Sequence, residues 1–137
     1  MVLRKRNAQL SFLHVYHHAL MPWSWFVVVR WAPGGDAWFG ACYNSAIHVL
    51  MYTHYLLKTF RWPCPWKRTL TQMQMSQFIV CFVHSGYLWF GCDPDVYPRP
   101  LVVLQAAVML SLLALFAGIY ATAYRAQAPC TATSLVR

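Results

Sequence analysis

Three of the six histidines in this 137-residue sequence, His14, His17 and His18, fall within five positions, in the stretch HVYHH. Imidazole does three kinds of chemical work: metal ligation, proton transfer and nucleophilic attack. Steps of three and four residues put all three rings on one face if the segment is helical. A second set, Asn44, His48, Met51, Tyr52 and Tyr55, also lies along one face of a helix. Gln74 and Gln77, three apart, make a third. His54 and His84 stand alone. A single imidazole in an apolar helix more often holds a neighbour by a hydrogen bond, and both are read as structural.

The segments that carry these residues are apolar. The chain is 59% hydrophobic and only 10% charged, with a mean hydropathy of +0.40. A soluble domain carries roughly a quarter charged residues, so too little polar surface is available here to cover a water-facing globule. Four continuous apolar runs, near 10–31, 37–58, 69–91 and 101–124, are each long enough for a bilayer-crossing helix, which takes about 20 residues. Pro- and Gly-rich breaks separate them: APGGD, RWPCPWKR and GCDPDVYPRP. The runs do not alternate, which argues against a barrel. The expected fold is therefore all-α, a polytopic membrane helical bundle. Five cysteines show no CxxC or zinc-like spacing. The first apolar run is too long for the core of a cleavable signal peptide, and none is expected.

Charge orients the bundle. Arg4, Lys5, Arg6, Lys58, Arg61, Lys67, Arg68, Arg125 and Arg137 fall on one side, against Arg30 and Arg99 on the other. The second side also holds the three acids, Asp36, Asp93 and Asp95. The positive-inside rule then places both termini and the 58–68 connection in the cytosol. The basic residues lie between apolar runs and form no continuous stripe, so nucleic acid is not an expected partner. At 1.5 Å per residue, His14, His17 and His18 enter roughly 5–15 Å from the cytosolic side, and His48, Gln74 and Gln77 reach a similar depth. Polar groups at that depth mark a functional site by default. Pro22, whose missing N–H leaves the His18 carbonyl without its helical donor, predicts a kink beside the cluster.

Two chemistries compete for the cluster. HxxHH resembles one box of the membrane di-iron desaturases and hydroxylases. Such enzymes use several boxes, however, and no Asp or Glu lies within any apolar run here. Neither a metal nor another cofactor is expected. The alternative is histidine as nucleophile: a neutral imidazole attacks a thioester to give an acyl-imidazole, protected from water inside a membrane chamber. That chemistry is acyl transfer on a lipid substrate.

The stretch LRKRNAQLSFLHVYHH, followed by MPWSW and APGG, resembles the very-long-chain fatty acid elongase (ELO) family, whose signature is HxxHH. NSAIHVLMYTHY is similar to that family's NSxxHVxMYxYY, and QMSQF to its QxxQF. The resemblance covers the last four of the family's seven helices, making residues 1–137 a partial elongase domain. It implies an acyltransferase of the endoplasmic reticulum membrane, a 3-ketoacyl-CoA synthase that condenses long-chain acyl-CoA with malonyl-CoA. It further implies His17 as the acyl-accepting nucleophile, His18 and His14 as its supports, and His48 as a helper across the cavity. Asn44, Gln74, Gln77 and Tyr52 become the substrate-binding groups. Expected partners are the two acyl-CoA substrates, the lipid bilayer, and other enzymes of the elongation cycle or a second copy. Departures are His54 in place of a tyrosine, Gly118-Ile119 in place of Asn-Phe, and no KxxExxDT. A non-catalytic shortened paralogue is the third reading.

Overall fold

The computed structural model describes residues 11–125, and these form four helices: α1 (Phe12–Trp31), α2 (Trp38–Thr59), α3 (Lys67–Gly91) and α4 (Arg99–Arg125). No strand occurs among the described residues. The helices fall where the apolar runs predict them, and their ends follow local chemistry. The Ser11 side chain accepts the His14 backbone N–H at 3.2 Å, capping α1 one turn before the histidine face. α1 continues through Pro22 as one helix and stops before the APGGD turn, where Gly34 takes a positive φ of 75°. α2 ends in a Schellman motif: the Trp62 N–H reaches the Leu57 carbonyl and the Arg61 N–H reaches that of Lys58, both at 3.1 Å. Arg61 holds the left-handed position at φ 59°, where glycine is usual, at a cost of about 1 kcal/mol.

α4 is the spine. It packs along α3 and against α1, while α2 leans on α3; α1 and α2, though consecutive, make at most marginal contact. One apolar cluster joins Phe78 of α3 to Val108 and Leu112 of α4, with Tyr16, Leu20 and Met21 of α1 packed on it. A second, at the far end, gathers Ala32, Leu88, Tyr97, Leu101 and Val102. There Gly35 lets the turn approach Tyr97 closely: a Cβ on it would meet the Tyr97 ring at 3.1 Å, tighter than ordinary contact. A polar bridge also ties α1 to α4: the Tyr16 hydroxyl donates to Ser111 Oγ at 3.0 Å.

Large apolar side chains cover the outside, among them Trp23 at 71% and Phe90 at 89% exposure. A surface of this kind belongs against lipid or further protein. Arg99–Ala123 is long and apolar enough to cross a membrane by length and composition. α1, α2 and α3 have 20, 22 and 25 residues, about 30 Å or more each, but their His, Asn, Gln and Trp side chains dilute the apolar character.

Two outcomes are expected of this arrangement. Cys64, partly exposed in the α2–α3 connection, should react with an impermeant thiol reagent added outside sealed microsomes, whereas Cys92 in the α3–α4 connection should be protected. The reverse pattern would invert the orientation. Tyr97 supplies the second. Burial first, and the Asp36 carboxylate second, raise its phenol above the ordinary tyrosine value, and its hydroxyl has no partner among the described residues. A raised folded-state value contributes stability that is complete below the ordinary value, near 10, and is lost as pH climbs through the raised one. Tyr97→Phe should therefore be about 1 kcal/mol more stable at neutral pH and lack that alkaline loss, as read by thermal unfolding across pH.

Candidate active site

The slot between α1 and α2 opens into a cavity of about 730 Å³. α1 contributes His14, His17 and His18; α2 contributes Asn44, Ile47, His48, Met51, Tyr52 and Tyr55. α3 adds Gln74, Gln77 and Phe78, and Phe116 of α4 closes the back. The rings of His14 and His18 lie 4.3 Å apart, and His17 meets His18 edge-on at 5.4 Å. Across the cavity His48 sits 6.0 Å from Tyr52, which in turn is 6.4 Å from Tyr55. The Gln74 amide donates to Met51 Sδ at 3.7 Å. A thioether is a weak acceptor, so this amide is readily redirected to a better oxygen.

Beside this cavity lies a second, smaller one of about 70 Å³ with more strongly apolar walls: Met21, Trp25 and Val28 of α1, Ala37 just before α2, Gly40 of α2, and Leu104, Val108 and Met109 of α4. The two cavities share His17, Asn44, Gln77 and Phe78. Gln77 is 4% exposed. A collar of one imidazole and two amides therefore stands where a polar mouth meets an apolar interior. Among the described residues, no three His, Cys, Asp or Glu side chains are grouped so that they could hold a metal ion. The His14 and His18 rings are tilted by 42° to one another, and His17 stands edge-on to His18.

Residues 1–131 match the sequence profile of the ELO: GNS1/SUR4 family. The chain belongs to that family. It is 40% identical over 130 residues to very long chain fatty acid elongase 2 of Rattus norvegicus, an alignment covering 90% of this chain and 45% of the relative. It is 41% identical over 128 residues to very long chain fatty acid elongase 5 of Homo sapiens, covering 90% and 42%. With elongase 5 of Tachysurus fulvidraco the identity is 36% over 132 residues, again covering 90% and 42%. The chain thus spans less than half the length of the curated relatives it matches.

In this ELO chain all eight residues singled out in the sequence, His14, His17, His18, His48, Asn44, Tyr52, Gln74 and Gln77, line the larger cavity. The two lone histidines lie elsewhere. His54 is 2% exposed and accepts the Trp66 indole N–H on Nδ1 at 2.7 Å, so it anchors the α2–α3 connection. His84 Nε2 pairs with Asp36 Oδ2 at 3.0 Å and stacks on Phe39 at 4.5 Å, so it ties the α1–α2 turn to α3. Sequence reasoning missed the wall residues. Ile47, Phe78 and Phe116 are ordinary apolar side chains whose cavity role has no local signature. Ser24 and Gln105 in the inner chamber, where Ser24 Oγ donates to the Leu20 carbonyl at 3.0 Å, also went unremarked. Ser11 was recoverable as a helix N-cap placed immediately before an apolar run.

Replacing His54 by Phe removes the acceptor of the half-exposed Trp66 indole N–H without touching the cavity. A loss of about 1 kcal/mol in unfolding stability is expected, read by thermal unfolding. An unchanged melting midpoint would show that the anchor carries no stability.

Proposed function

We propose that this ELO chain carries the condensing centre of a fatty acid elongase, which joins a long-chain acyl-CoA to malonyl-CoA through an acyl group held on His17. The observation that carries the reading is the collar: His17, Asn44 and Gln77 stand at the junction of a polar mouth and an apolar chamber. A thioester carbonyl placed there keeps its coenzyme in the mouth and directs its acyl tail inward, where the inner cavity of about 70 Å³ receives only its first carbons.

The steps balance as follows. A ring nitrogen of His17 attacks the thioester carbonyl, the C–S bond breaks, and coenzyme A leaves as thiolate to take up a proton. Malonyl-CoA then loses carbon dioxide, and the carbanion carbon attacks the acyl-imidazole. The C–N bond to His17 breaks and 3-ketoacyl-CoA is released. His18, edge-on to His17, orients it, with His14 behind against His18, and His48 serves proton transfer from the opposite wall. The amides of Asn44, Gln74 and Gln77 donate to the oxygen that gains negative charge in each step. Tyr52, at the mouth, contacts the coenzyme side of the substrate. Among the described residues the groups lining the cavity include no carboxylate, a donor set ill suited to a di-iron centre.

In this reading the chain is a multi-pass protein of the endoplasmic reticulum membrane, with all four helices crossing and both termini cytosolic. The slot between α1 and α2 must be closed for an acyl-imidazole to escape hydrolysis. The described helices leave it open, so condensation is expected of a polypeptide of the relatives' length and not of this chain alone.

In such a polypeptide, acyl-CoA alone should release one equivalent of coenzyme A and leave an acyl adduct on the His17 peptide in mass spectrometry. His17→Ala should abolish the release. His84→Ala, outside the cavity, should keep it while lowering thermal stability. An adduct on Cys42 or Cys81, or undiminished release by the His17 variant, would sink the histidine mechanism.

A further inference from the structure

The connection between α2 and α3 is built more firmly than a linker needs. The Schellman motif fixes one end and the Trp66–His54 bond fixes the other. Between and beside these anchors, Lys58, Arg61 and Lys67 are exposed, and so are Phe60 and Trp62 at 66% and 65%. Arg68 adds its charge at the same end, its Nε donating to the Tyr120 hydroxyl at 2.9 Å. Asp36, Asp93 and Asp95 all lie in the two connections at the opposite end. Arg61 occupies a left-handed backbone position that glycine would take without strain.

We propose that this surface docks on acidic phospholipid headgroups of the leaflet around it. Two aromatic rings at the boundary of a membrane-length helix settle at headgroup level. Flexible Lys and Arg stems beside them reach outward to phosphate while their methylenes stay in the apolar zone. Each basic residue so placed favours an acidic over a neutral lipid surface by roughly fivefold. The reading is independent of the condensation chemistry and rests only on the membrane placement of α2 and α3.

The test uses the full chain in bilayers of phosphatidylcholine containing spin-labelled phosphatidylserine or spin-labelled phosphatidylcholine. The relative association constant of the two labels is the readout. Wild type should prefer phosphatidylserine by on the order of a hundredfold at low salt, and the preference should fall steeply as salt is raised, since exposed charges are screened within about 10 Å at 0.1 M. Arg61→Gly, which suits the left-handed position and should fold at least as well, should lose roughly fivefold of the preference. Lys58→Gln with Lys67→Gln should lose roughly 25-fold, leaving the share of Arg61. Arg30→Gln, at the opposite end, should leave it unchanged. Full preference in Arg61→Gly, or loss in Arg30→Gln, would overturn the proposal. So would a wild type without lipid preference that binds free coenzyme A in neutral bilayers through Arg61, since the surface would then belong to a soluble nucleotide phosphate.

Discussion

Imidazole and amide groups carried deep into an apolar bundle must either pair with one another or share a polar cavity, because hydrocarbon solvates neither. That constraint organises the molecule. His14, His17 and His18 on α1, Asn44 and His48 on α2, and Gln74 and Gln77 on α3 are too far apart in sequence to satisfy one another locally. They are accommodated by facing one cavity. The packing of the rest of the fold keeps those three faces turned to that cavity.

Most of that work falls to α4, which carries none of the cavity's polar groups. Its apolar face packs along α3 through Phe78, Val108 and Leu112 and accepts Tyr16 and Leu20 of α1 on the same cluster. α1 and α3 are thereby held on a common support, and a direct hydrogen bond from Tyr16 to Ser111 fixes α1 on α4. α2 reaches the group only through α3. The slot between α1 and α2 follows from this order of packing, and it gives the cavity its opening. A span without motifs thus decides the geometry of the motifs.

The two solitary histidines do the complementary task at the bundle's ends. His54 fastens the connection that returns the chain into α3, and His84 fastens the turn that leads into α2. Each makes a specific polar contact to a residue outside its own helix, which limits sliding of α2 along α3 in either direction. A slide of one residue would turn His48 and Asn44 by about 100° away from His17. The chemistry of the cavity therefore depends on residues that never touch it.

The positions of all four helices, the inward faces of α1, α2 and α3, and the membership of the eight cavity residues were legible in the sequence, since periodicity and punctuation are local properties. HVYHH, NSAIHVLMYTHY and QMSQF also point to the ELO family without any coordinates. What the sequence did not contain is how the helices are partnered. Nothing in residues 101–124 announces that α4 would hold α1 and α3 together, because apolar packing is non-directional and many pairings bury similar area. The division into a polar mouth and an apolar inner chamber, with His17, Asn44 and Gln77 at their junction, arises only when side chains from four helices meet. Likewise His54 and His84 could be read as structural from their isolation, but their partners, Trp66 and Asp36, come from distant turns. Residue types and spacing determined which groups must be hidden together; tertiary packing alone decided around what space, because shape complementarity between helices has no signature within any one of them.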